Sequence, residues 1–210
     1  MRERLEAAKA QQMRQLIINS AVRLFDQYGY KNVRVGQITD EIGMTTGTFY
    51  YYFRNKEEIL QSIYDYYISI AVDAIRQIYE DTDKSVHEKL KLMVDAHIKL
   101  ISEYLPHVSV FFREYRNLSK EGLESIREKN SIFLSYVTKL IEQGMKERIF
   151  RRDLHPKIAS LGIIGMCNWL YQWYNPLGEA SADQIGDVFF KLISHGLYGS
   201  AESDHPSGNP

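Results

Sequence analysis

Apolar residues recur at helical spacing along almost the whole chain. Leu16, Ile17, Ala21, Leu24 and Phe25 share one face of a helix over 13–28, and Gly29 follows as a residue suited to end it. A short helix over 35–42 closes at Gly43, and Thr45 can cap a third over 45–52. Asn55-Lys56-Glu57-Glu58 opens a long helix to about residue 80, and Ser85 with Glu88 opens another to about 105. Pro106 suits the first turn of a helix to 117, and Ser119 starts a long one to 148. Asp153 can cap a helix through 174, residues 175–178 (NPLG) form a turn, and Ser181 with Gln184 boxes a last helix to 198. The pattern predicts an all-α fold of about nine helices, with no strand. Residues 199–210 (GSAESDHPSGNP) are small and polar and predict a disordered tail.

Composition agrees with this picture and narrows the class. The chain has 210 residues, 44% hydrophobic and 25% charged, enough to bury a core in one domain or two small ones. Its 13 Gly and 5 Pro are too few for the many tight turns of an all-β protein. The single cysteine, Cys167, cannot form an internal disulfide and points to a reducing compartment. Residues 1–12 lack the apolar core of a secretory signal, and the apolar run over 159–174 is interrupted by Asn168 and Gln172 and falls short of the roughly 20 residues of a membrane helix. These features predict a cytoplasmic protein that does not engage a membrane. Residues 1–60 carry nine Lys/Arg against seven Asp/Glu, so the basic end, though only mildly so, is the N-terminal one.

Residues 33–60 carry the strongest local signal. Three short helices follow one another, and Gly43-Met44 joins the second to the third in a tight turn. This is the order of a helix-turn-helix, whose second helix enters the DNA major groove. Ile38, Ile42, Met44, Phe49 and Phe53 form its inner side. Thr45, Thr46, Gly47, Thr48, Tyr50, Tyr51 and Tyr52 form its outer side, and no acid occurs over 44–54. Hydroxyl groups without neighbouring carboxylates suit phosphate oxygens, and Lys56 follows where it can reach one. A tyrosine-rich patch packed on a partner protein is the plainer reading of the same residues.

The run over 38–60, ITDEIGMTTGTFYYYFRNKEEIL, resembles the signature of TetR-type transcriptional regulators, and Ala21, Leu24, Phe25, Gly29 and Tyr30 resemble their first helix. The resemblance implies an N-terminal extension over 1–12, a DNA-binding domain over 13–58 with its helix-turn-helix near 34–53, and a ligand-binding and dimerisation domain over 59–198. It implies a homodimer on a palindromic double-stranded operator, and repression relieved by a small molecule. By position, Thr45 caps the recognition helix, Thr46, Gly47 and Tyr51 face base edges, and Thr48, Tyr50, Tyr52 and Lys56 meet phosphates. Two positions depart from the family pattern. Val33 and Arg34 stand where a threonine usually caps the second helix, so Arg34 is expected on a phosphate instead. Gly36 stands where a base-reading side chain can occur.

The remaining two-thirds is the expected sensor. The helix over 156–174 has two apolar stripes: Ile158, Leu161, Gly162, Gly165, Met166 and Trp169, and Ile163, Ile164, Cys167, Leu170, Tyr171 and Tyr174. One can face its own domain and the other a second subunit. With Ile185, Val188, Phe189, Leu192 and Ile193 of the last helix they suggest half of an isologous four-helix interface, built on Leu161, Gly162, Gly165, Trp169, Val188, Phe189 and Leu192. Phe111, Phe112 and Tyr115, and Trp169, Trp173 and Tyr174, are aromatic groups that either line a ligand cavity or fill core. Phe111-Phe112-Arg113-Glu114 and the stretch over 168–178 are similar to the branch of the family that senses acyl-CoA esters or fatty acids. For such a ligand Arg113, Arg116, Arg151 and Arg152 are candidate cations. An aromatic or cationic drug is the alternative effector. A helical enzyme and a protein-interaction module are the rival classes. No nucleotide loop, metal-ligand set or hydrolase motif is found, so no cofactor, no metal and no enzymatic activity are expected. Glu103 and His107 lie one helical turn apart without a third ligand, and Cys167 reads as packing.

Overall fold

Helix α1 runs over Arg2–Tyr28, taking in residues 2–12 as well as the helix expected over 13–28. Apolar periodicity starts only near residue 13, but the preceding Arg, Glu, Ala, Lys and Gln are strong helix formers with no breaker among them. This computed structural model describes residues 2–197; the expected disordered tail lies outside them. After a 3-10 turn at Tyr30–Asn32 come α2 (Val35–Glu41), α3 (Thr46–Tyr52), α4 (Lys56–Glu80), α5 (Val86–Glu103) and α6 (Leu105–Glu114). A second 3-10 turn, Tyr115–Asn117, leads to α7 (Lys120–Lys146), α8 (Pro156–Asn168), α9 (Leu170–Trp173) and α10 (Ala182–Leu197). Among the described residues there is no strand.

Side-chain caps open α3, α4, α5 and α10. Thr45 Oγ1 accepts from Thr48 N–H, and Asn55 Oδ1 accepts from Glu58 N–H. Ser85 with Glu88 and Ser181 with Gln184 form reciprocal capping boxes. The helix expected over 153–174 differs. It starts at Pro156 after His155, with Pro suited to the first turn, while Asp153 is paired with the Arg151 guanidinium. It also breaks into α8 and α9 at Trp169, whose carbonyl accepts from Gln172 in a tighter, three-residue step.

The chain forms two compact units. Among the described residues, 2–71 and Glu103–Ser131 make the first, and Val72–Ser102 and 132–197 make the second. In the first, α1 packs against α2, α3 and α6. Ile17, Ala21 and Phe25 of α1, Ile38 of α2 and Phe49 of α3 are buried there. In the second, Leu90, Val94 and Ile98 of α5, Val137, Leu140 and Ile141 of α7, Ile163 and Cys167 of α8, and Ile185 and Ile193 of α10 are buried. The carbonyl of Gly144 accepts from Ile149 and Phe150 N–H, folding the buried Phe150 ring over that glycine.

Candidate nucleic-acid interface

α2 and α3 meet through a turn in which Gly43 has φ +65°, a conformation a residue with a Cβ adopts reluctantly. Met44 N–H donates to Thr39 O at 2.8 Å and closes the turn. The pair is moored to α1 by polar side chains. The buried Ser20 hydroxyl donates to Ile38 O at 3.2 Å and also to the Glu41 carboxylate, which Arg23 approaches at 3.0 Å. The Ser20 bond, then Arg23, hold the Glu41 carboxyl below its ordinary range. Arg14, on α1, donates to Tyr52 O and lies over the Phe53 ring at 4.1 Å.

Of the residues expected on DNA, most stand clear of the fold. Thr45, Thr46, Gly47, Thr48, Tyr50 and Tyr51 are exposed, Tyr51 by 81%. Tyr52 is half-buried with its ring edge-on to Tyr51. The Thr48 hydroxyl lies 2.9 Å from that of Thr45. Arg34 is exposed and begins α2 without a hydroxyl cap; its own N–H donates to Gln37 Oε1 at 2.8 Å, half of a capping box. Lys56, expected on a phosphate, has partners within the chain. Its ammonium donates to the carbonyls of Tyr30 and Val33 at 2.5 and 2.8 Å and faces the Tyr30 ring at 4.2 Å. Arg14 and Ser20 carry no sequence signal, because their partners lie at least 18 positions away.

The expected ligand residues fall into separate groups. In the first unit, Phe111 is buried and stacked on Tyr64 at 4.1 Å, with Phe112 and Tyr115 at 5.6 and 5.9 Å. Arg113 is exposed and paired with Asp26 of α1, so its charge is already met. Arg116 is exposed beside Tyr115, and Arg151 is held by Asp153. A cleft of about 350 Å³ in the first unit is lined by Glu57, Glu58 and Glu121 against one cation, Arg54, a chemistry unsuited to an acyl chain. In the second unit, Trp169 and Trp173 are about half exposed, and Trp173 lies 6.4 Å from Phe189. Two polar pairs lie within it: the buried His97 Nε2 with Asn168 Oδ1 at 2.8 Å, and Ser102 with the Tyr174 hydroxyl at 3.4 Å.

The two stripes of α8 differ in exposure. Ile163 and Cys167 face inward, while Ile158, Leu161 and Trp169 are exposed by 66, 50 and 59%. Val188 and Leu192 of α10 are exposed too, Phe189 is half-buried, and a Cβ built on Gly162 or Gly165 meets nothing within 4 Å. Among the described residues no helix is long and apolar enough to cross a membrane.

A three-helix head with an exposed, acid-free third helix defines a helix-turn-helix DNA-binding protein. The chain belongs to the TetR family of transcriptional regulators: residues 17–63 match "Bacterial regulatory proteins, tetR family" and residues 83–197 match "Tetracyclin repressor-like, C-terminal domain". It is 24% identical over 191 residues to the HTH-type transcriptional repressor KstR2 of Mycolicibacterium smegmatis, covering 90% of this chain and 92% of that one. It is 26% identical to the fatty acid metabolism regulator protein of Bacillus subtilis, covering 71% and 76% of the two chains. The structure of AibR in complex with isovaleryl coenzyme A and operator DNA superposes with a TM-score of 0.75 at 22% identity, covering 85% of this chain and 96% of that one.

Proposed function

We propose that the protein is a dimeric repressor that grips a palindromic operator through α3 and leaves it when a coenzyme A thioester or related acyl ligand binds the C-terminal domain. The observation that carries the DNA-binding half is the outer face of α3, where Thr46, Gly47, Tyr50 and Tyr51 are exposed with no carboxylate among them. Thr46, Gly47 and Tyr51 read base edges; Arg34, Thr48, Tyr50 and Tyr52 position the protein on phosphates. The dimer reading is supported by the exposed stripe of α8 and α10, too apolar for a surface left in water. The effector class is supported by AibR, solved in complex with isovaleryl coenzyme A, and by the fatty acid metabolism regulator of Bacillus subtilis. As a regulator it has no enzymatic reaction to perform, and it works where the chromosome is, in the cytoplasm.

The test is fluorescence anisotropy on a duplex enriched from a random-sequence pool by the full-length protein. Isovaleryl coenzyme A or a longer acyl-CoA should release the duplex, while free coenzyme A should not. Release by an aromatic cation such as ethidium, and not by any acyl-CoA, would replace the proposed effector class with the drug-sensing one.

A further inference from the structure

The linker over 29–34 ties α1 to α2, so its placement bears on where α2 and α3 stand on α1. Three of its backbone groups are held by side chains of α4 and α6. Tyr30 N–H donates to Glu114 Oε1 at 3.2 Å. Tyr30 O and Val33 O both accept from the Lys56 ammonium, at 2.5 and 2.8 Å. The Tyr30 ring lies under that ammonium, and the Tyr30 and Val33 side chains are buried. An ammonium has three N–H donors, and two of these are committed to carbonyls. Burial holds Lys56 below its ordinary range, and pushes the Tyr30 hydroxyl up to about 12 with help from Glu57 and Glu114. The two carbonyl bonds and the ring contact place the Lys56 ammonium on the linker.

We propose that Lys56 and Glu114 are positioning residues for operator recognition: they hold the 30–33 linker from two sides and fix the α2–α3 pair, and Lys56 does not neutralise a phosphate. The inference rests on α3 being the DNA-reading helix. Arg14 secures the other end of the same pair at Tyr52 and Phe53, so the recognition element is fixed at its entry and its exit. Glu114 closes α6 and is accompanied by the Arg113–Asp26 pair, so α6 meets α1 and the linker together.

The experiment compares full-length variants on the enriched duplex and on a scrambled one, over a range of salt. Lys56→Met keeps the aliphatic stem and removes the donors. It should weaken the enriched duplex about tenfold or more, leave the scrambled duplex unchanged, and leave the slope of log K against log salt as in the unsubstituted protein. Arg34→Gln, on an exposed cation, should flatten that slope by about 0.9, the value of one phosphate contact. Glu114→Ala removes a negative charge, which by electrostatics alone would tighten DNA binding; as a positioning loss it should weaken the enriched duplex. Amide exchange over 33–38 should quicken in both variants while the α1 core stays protected. A flattened slope with equal weakening on both duplexes in Lys56→Met, or undiminished binding by Glu114→Ala, overturns the proposal. If Lys56→Met does not fold, Glu114→Ala decides alone. Failure of the unsubstituted protein to enrich any duplex overturns the DNA-reading role of α3 instead.

Discussion

The guanidinium of Arg14 lies 4.1 Å from the centre of the Phe53 ring and donates to the carbonyl of Tyr52, binding the C-terminal end of the recognition helix to α1. The ring is buried, so the cation–π contact is partly shielded from water. Arg14→Ala should cost about 1–3 kcal/mol of stability, from the charged hydrogen bond and the stacked stem. Urea unfolding reads this loss directly. An undiminished midpoint, with unchanged operator affinity, would remove Arg14 from the support of α3.

The exposed stripe on α8 and α10 gives a dimer prediction that one chain's fold does not confound. A Cβ at Gly165 meets nothing within 4 Å, so the single chain leaves room where the side chain of Gly165→Arg starts. Across an apolar interface it would bury a charge without a partner. The variant should run as a monomer on sizing and lose operator affinity by about a hundredfold, because two linked half-sites then bind separately. A variant that stays dimeric and binds normally places the subunit contact elsewhere.

Gly144 answers a different question, whether the turn after α7 is packed as tightly as its geometry requires. In an open helix, Gly→Ala gains up to about 1 kcal/mol. Here the new Cβ would lie 2.1 Å from the Phe150 ring. Gly144→Ala should therefore destabilise by about 1–3 kcal/mol, the usual cost of overpacking. Adding Phe150→Ala should recover part of the loss, giving a double variant less damaged than the sum of the two.

Two histidines predict a pH window. Burial lowers the pKa of His97 despite its bond to Asn168, and lowers that of His107, whose ring nitrogens have no hydrogen-bond partner. Each therefore binds a proton more readily in the unfolded chain. Their contribution is intact above about pH 6.5 and is lost as pH falls below it, by up to about 1.4 kcal/mol per pH unit for each. Urea midpoints at pH 7.5 and 5.5 should differ by more in the unsubstituted protein than in a His97→Gln, His107→Gln variant. Equal differences would mean that neither ring is held neutral by the fold.

The helical order was legible because it is written in local terms: caps at Thr45, Asn55, Ser85 and Ser181, glycines at 29 and 43, and one apolar stripe per helix. The outer face of α3 was legible for the same reason, since a seven-residue helix after a tight turn leaves little choice of side. What the sequence concealed lies in long-range polar contacts. Nothing near Lys56 says that its ammonium turns to Tyr30 and Val33, and nothing near Arg113 says that Asp26 meets it. The start of α1 was hidden because helix-forming polar residues carry no apolar period. The break at Trp169 was hidden because a three-residue hydrogen bond leaves the hydrophobic stripe almost in phase.

The claim that α3 reads an operator on behalf of a symmetric pair is tested most directly by in vitro selection of the full-length protein on a random duplex pool, followed by binding of the enriched sequence. The predicted result is an inverted repeat, bound by two chains or a multiple of two, with Thr46→Ala losing affinity for that repeat while binding scrambled DNA as before. A pool that shows no enrichment, or an enriched sequence without two-fold symmetry that Thr46→Ala binds undiminished, would contradict it.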